Sequence, residues 1–268
     1  MDAYPGTHPA AVIYNNGEVL ACGGEDLENA DRCWSFDGST WSSLPNSNQK
    51  HCYYDSRNVL VNDGWMIAGQ LQFGNGGCDS SNSTSEIYTG TSWKPGPALP
   101  GDGYSCVVNL NATHTVLIGG NHPLTRWIHP PAAAWLYDWT SQLWTRTGSL
   151  IQGRYLHGCV SLDGQGILVA GGYDRGQGYT VDLYNPVQGT WSSQPDLPRD
   201  IEQKQPLLLN WDGQVLALFD RNAQIYKRSR DTGEWSVLKG VHLPSPFEGY
   251  SYTKAVLVPD NWSCNPAE

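Results

Sequence analysis

One tryptophan returns along this chain of 268 residues with a near-constant period. Trp41, Trp93, Trp144, Trp191 and Trp235 each follow a short turn and stand 52, 51, 47 and 44 residues apart. An aromatic residue precedes each of them: Phe36, Tyr88, Tyr137, Tyr184 and Tyr226, at gaps of 5, 5, 7, 7 and 9 residues. Further upstream an apolar run closes on small residues, as in Val19–Gly24, Met66–Gln70, Val116–Gly120 and Ile167–Gly172. Turn sequences come before those runs: Asn15-Asn16-Gly17, Asn62-Asp63-Gly64, Asp163-Gly164 and Asp212-Gly213. Asn-Gly and Asp-Gly are the chemistry of tight hairpins, because both positions tolerate positive φ. Each period therefore reads as four strands. A unit this small cannot bury its own apolar face, so neighbouring units must stack. Apolar residues alternate or cluster in fours and fives, which leaves no helical spacing.

Composition supports short strands and tight turns. Trp (12) and Tyr (14) far outnumber Phe (4), Gly reaches 30, and charged residues make up 16%. The ordered set of glycine doublet, Tyr and Trp resembles the kelch repeat, and the resemblance runs from residue 8 to about 259. The doublets are Gly23-Gly24, Gly119-Gly120 and Gly171-Gly172; the second repeat departs with Gly69-Gln70 and the fifth with Leu218-Phe219. The resemblance implies an all-β, kelch-type β-propeller of four-stranded blades in a single domain over 1–268. The repeats fall at 8–50, 51–103, 104–153, 154–203 and 204–250, with an extra strand at 252–259 and a tail at 260–268. Five blades are favoured; the rival is six with an incomplete last blade. The strands at 10–14 and 252–259 compete for one place in the first blade. The Tyr and Trp of each repeat are expected between blades, with their polar ends bonded to backbone.

The formal charge is −10, and the densest basic segment is Lys227–Arg230. That balance argues against nucleic acid and anionic membrane as main partners. No run of 18 apolar residues occurs, so no membrane insertion is expected. The first residues, Met1–Gly6, carry neither a basic region nor an apolar stretch, so no signal peptide is read there. Seven cysteines contain no C-x-x-C pair, which disfavours zinc. Cys22 with Cys33, and Cys52 with Cys78, are expected as candidate disulfides; Cys106 and Cys159, in the apolar contexts YSCVV and HGCVS, read as buried thiols. Three N-x-S/T sequons stand at Asn82, Asn111 and Asn261. Cysteine usage and sequons favour a secreted glycoprotein over a cytoplasmic protein.

Function is expected in the loops, which the blades hold in place. The loops after the doublets and the connections into each blade present Arg126, Trp127, Arg154, Tyr155, Tyr173, Arg175, Arg221 and Tyr250. These residue types are enriched at binding surfaces. Arg154-Tyr155-Leu156-His157 matches the Arg-x-x-His that opens many kelch blades, and the resemblance implies a ligand-facing Arg154. Set against it is a packing role, in which Arg154 and Tyr155 begin a strand at the blade junction. His122 and His129 share one loop without a nearby carboxylate or Cys, a poor metal set, so neither metal nor cofactor is expected. No nucleophile, zincin or phosphate-loop motif occurs, and no catalytic residue is assigned. The expectation is a rigid interaction module for a protein or a glycan. The alternatives are a secreted galactose-oxidase-like copper enzyme or sugar-acting enzyme, and a scaffolding crosslinker. An adaptor role in ubiquitin ligases is disfavoured, because no helical partner domain precedes the repeats. No sequence feature sets an oligomeric state.

Overall fold

A computed structural model describes residues 10–14, 17–23, 28–51, 57–62, 64–69, 72–73, 77–78, 84–100, 105–120, 130–173, 178–199, 206–219 and 225–239. Their strands build five four-stranded antiparallel blades of the β-propeller type, each meandering from its first strand to its last. The first blade comprises β1 (Ala10–Ile13), β2 (Val19–Cys22), β3 (Cys33–Phe36) and β4 (Trp41–Leu44). The second comprises β5 (Arg57–Val61), β6 (Gly64–Gly69), β9 (Thr84–Tyr88) and β10 (Trp93–Pro95). Between β6 and β9 lies a two-stranded ladder, β7 (Gln72–Phe73) with β8 (Gly77–Cys78), which the repeat pattern does not foretell.

The third blade is β11 (Cys106–Asn111), β12 (His114–Ile118), β13 (Ala134–Asp138) and β14 (Leu143–Arg146). The fourth is β15 (Gly158–Ser161), β16 (Ile167–Ala170), β17 (Val181–Asn185) and β18 (Thr190–Gln194). The fifth is β19 (Leu207–Trp211), β20 (Gln214–Leu218), β21 (Ile225–Arg228) and β22 (Trp235–Val237). The strand read over 252–259 lies outside the described residues. The chain divides into two compact units, one carrying the first two blades and the other, residues 99–253, carrying the last three.

Burial follows strand position, and it explains the sequence signals. The second strand of a blade is covered on both faces, so it reads as an unbroken apolar run. Ile167–Ala170 is fully buried, and Val116–Ile118 nearly so. The last strand lies at the edge and is half polar, as in Trp191 flanked by exposed Thr190 and Ser192. Turn chemistry matches its sequence. Asp163 and Gly164 take φ of 50° and 82°, Asp212 and Gly213 take 48° and 71°, so each pair turns its hairpin with two positive φ values.

The backbone bonds expected of the repeat Trp form in the second and fourth blades, whereas Trp144 and Trp235 bury Nε1 without a hydrogen-bond partner among the described residues. In the fourth blade Tyr184 and Trp191 lie 5.0 Å apart between ring centroids. Trp191 Nε1 donates to Gly148 O (2.8 Å), and the Tyr184 hydroxyl bonds Thr147 Oγ1 (2.6 Å), both beyond the last strand of the preceding blade. Trp93 repeats the contact in the first unit, donating to Pro45 O at 2.9 Å. Each such pair adds about 0.5–1.5 kcal/mol beyond area burial. The fifth repeat lacks a doublet because Phe219 fills that space, buried edge-to-face against Tyr226 at 5.7 Å.

Two disulfides occur among the described residues. Cys22–Cys33 staples β2 to β3 within the first blade, as expected. Cys106–Cys159 corrects the reading of two buried thiols. Their apolar surroundings are alike because both stand at the start of a blade's first strand, Cys106 as the first residue of β11 and Cys159 as the second of β15. Those strands, β11 and β15, lie side by side, which brings the two Cα atoms to 6.2 Å. Cys52 and the Cys78 side chain fall outside the described residues.

Candidate functional site

The connection from the third blade into the fourth carries the clearest constellation. Arg154 is fully enclosed. Its Nη1 donates to the carbonyls of Gly171 (3.1 Å) and Thr180 (2.8 Å), and its Nη2 to Asp182 Oδ2 (2.9 Å) on β17. Asp182 is buried as well. The Arg154 carbonyl turns the other way and accepts from Gly120 N (3.0 Å) in the third blade. A Cβ added at Gly119, whose φ is 62°, would lie 2.5 Å from that same carbonyl. Only glycine allows this approach. Arg154 thus pins two blades, its backbone to one and its guanidinium to the other. The structure gives it the packing role that the sequence set against ligand contact.

The pin positions the residues next to it in the chain. Tyr155 N donates to Tyr173 O (3.2 Å) and Tyr173 N to Tyr155 O (2.8 Å), an isolated antiparallel bridge beyond the ends of β15 and β16. The two rings stack, with centroids 5.3 Å apart and planes 16° apart. Tyr155 is half-buried and Tyr173 is 43% exposed. Burial first, and the neighbouring Tyr173 second, push the Tyr155 hydroxyl above the usual phenol range. At neutral pH Tyr155 therefore presents a neutral ring face and a hydroxyl. Leu156 sits at φ 54°, a conformation that costs a non-glycine residue about 1–2 kcal/mol. His157 comes next, buried beside Gly119 and Gly172.

A second pin of the same build stands in the first unit. The His51 carbonyl lies over Gly23, whose added Cβ would come within 2.4 Å of it. The His51 ring, fully buried, meets Glu86 Oε1 at 3.2 Å on β9. Asn48 serves the other carboxylate oxygen through N (2.9 Å) and Nδ2 (2.7 Å). Burial pushes the Glu86 carboxyl up, but the bonds and charge of His51 and the bonds of Asn48 outweigh it and hold it below the usual range.

Of the residues singled out in the sequence, the structure brings together Arg154, Tyr155 and Tyr173. Arg126, Trp127, Arg175, Arg221 and Tyr250 lie outside the described residues, as do His122 and His129. Sequence reasoning missed Glu86 and Asp182. The signal was there, since each stands two residues before its blade's Tyr, at Tyr88 and Tyr184.

Comparison with known proteins agrees with this architecture. The Kelch motif matches residues 153–198, the span that holds Arg154, Asp182, Tyr184 and Trp191. Kelch-like protein 35 of Mus musculus is 27% identical over 133 residues, covering 47% of this chain and 22% of that protein. Kelch-like protein 35 of Homo sapiens is 26% identical over 133 residues, with the same coverage. The similarity thus spans about a fifth of the length of these relatives. Five meandering four-stranded blades, the recurring aromatic and Trp of each repeat and the Kelch motif on the fourth blade are thus what this chain shares with kelch-repeat proteins.

Proposed function

We propose that this chain works as a rigid binding module that engages a protein at the doublet end of its fourth blade, with Tyr155 and Tyr173 at the centre. Kelch propellers commonly serve as protein-interaction modules. The observation that carries the reading is a stacked tyrosine pair, one ring exposed and the other half-buried, mounted beside a buried guanidinium that makes three hydrogen bonds. Tyrosine offers large amphipathic contact area at a low entropy cost, and it is enriched among residues that dominate binding energy. Fixing the pair before the partner arrives removes part of the ordering cost. Arg126, Trp127, Arg175, Arg221 and Tyr250 lie outside the described residues and stay candidates on their residue type alone.

The test compares wild type with Tyr173→Ala in quantitative capture from extracts of the source organism, alongside a glycan array. Loss of one aromatic anchor is expected to cost ~2 kcal/mol, about 30-fold in Kd, at an unchanged unfolding midpoint. Val187→Asp, at an exposed turn on the other end of the same blade, should leave capture unaltered. Equal capture by wild type and Tyr173→Ala would overturn the assignment. Retention on glycans that depends on Tyr173, without a protein, would change the class of partner.

A further inference from the structure

The first strand of the third blade, β11, carries two chemical marks at its opposite ends. Cys106 at its start is bonded to Cys159, and Asn111 at its end opens the sequon Asn111-Ala112-Thr113. We propose that Asn111 is an N-glycosylation site, and that the chain matures in an oxidising, glycosylating compartment.

Three observations carry this. Asn111, Ala112 and Thr113 form the exposed tip of the β11–β12 hairpin, so a glycan there displaces no packed side chain. The local geometry suits the chemistry as well. Asn111 Oδ1 accepts from Thr113 N (2.9 Å) and Thr113 Oγ1 (3.0 Å), so the acceptor amide and the sequon hydroxyl are already in contact. His114 Nδ1 lies 3.3 Å from the same oxygen, and among the described residues no hydrogen bond engages Asn111 Nδ2. The third observation is independent of the sequon. Two disulfides, Cys22–Cys33 and Cys106–Cys159, form in oxidising compartments and are rare elsewhere. An N-x-S/T triplet has meaning only in such a setting.

In the transfer, Asn111 Nδ2 bonds to the anomeric carbon of an oligosaccharide carried on a lipid diphosphate. The bond from that carbon to the diphosphate oxygen breaks, and the amide nitrogen gives up one proton as the lipid diphosphate leaves. No electron is exchanged, and Oδ1 keeps its acceptor role in the finished glycopeptide. The glycan also stands clear of the candidate binding site. The hairpin tip and the doublet end lie at opposite ends of the blade strands, five residue steps or about 17 Å along β11.

The experiment uses protein isolated from its source. Peptides spanning Asn111 are mapped by mass before and after treatment with a peptide N-glycosidase, with free thiols alkylated before reduction. We expect the Asn111 peptide to carry a hexosamine-based glycan and to convert to Asp on treatment, with Cys106 and Cys159 unalkylated. Expressed in the source organism, Asn111→Gln and Thr113→Ala should each lose that glycan, while Thr113→Ser keeps it. An Asn111 peptide recovered wholly unmodified would overturn the site. Alkylation of Cys106 and Cys159 in the native protein would overturn the compartment. Mapping by peptide separates Asn111 from Asn82 and Asn261, and its outcome does not depend on Tyr155 and Tyr173.

Discussion

His51 and Arg154 occupy equivalent places in two blades and solve one problem with different chemistry. In both, a carbonyl rests on a glycine of the preceding blade, and the side chain reaches a buried carboxylate on the third strand of its own blade. Arg154 brings a permanent charge and makes three bonds, two of them to carbonyls that flank the Tyr173 loop. His51 makes one bond to Glu86, so Asn48 must complete the carboxylate. The contrast teaches that the backbone contact is the repeated element, while the polar chemistry is adapted to local need. Among the described residues, only the fourth blade's version braces a stacked tyrosine pair, with Tyr173 exposed and Tyr155 half-buried.

The largest effect is expected from breaking the arginine pin. Asp182→Ala leaves a guanidinium buried without its counter-charge, at a cost of about 3–5 kcal/mol. Urea unfolding should show it as a lowered midpoint. A loss below about 1 kcal/mol would mean that the carbonyl bonds alone hold Arg154. Next come the glycines. Gly119→Ala and Gly23→Ala each force a Cβ into a carbonyl at positive φ, for about 1–3 kcal/mol. Near-equal losses would establish the backbone contact as the shared element, and a large inequality would break the comparison.

The smallest and most discriminating effect lies in the histidine pin. Glu86→Gln should cost about 1–2 kcal/mol at neutral pH, where the native carboxylate is charged and bonded. The folded Glu86 carboxyl lies below its unfolded value. Its contribution is therefore fully present above the unfolded glutamate pKa of about 4.3, and is lost as pH falls through the lower folded value. The gap between wild type and Glu86→Gln should narrow as the solution is acidified through that window. A gap that widens on acidification would reverse the assignment.

Much of the frame was legible in sequence because its signals are local. Asp163-Gly164 and Asp212-Gly213 each specify a turn within four residues, and the Tyr–Trp pairs such as Tyr184 and Trp191 recur in phase. The site was legible only in part. An arginine opening a blade reads alike whether it points out or in; its direction is set by Asp182, 28 residues on, and by two carbonyls that carry no sequence signal. The same distance in sequence hid the bond between Cys106 and Cys159, 53 residues apart. The stacking of Tyr155 on Tyr173 depends on a bridge outside the regular strands, which periodicity does not register.

A buried pin holds the stacked pair of half-buried Tyr155 and exposed Tyr173 in place. Amide hydrogen exchange at Tyr155 and Tyr173 measures this directly, because each amide donates to the other residue's carbonyl. Both amides should be protected in the wild type. In Asp182→Asn they should exchange faster by a larger factor than Leu208 in the fifth blade does. Unprotected tyrosine amides in the wild type, or protection unchanged by Asp182→Asn, would contradict the account.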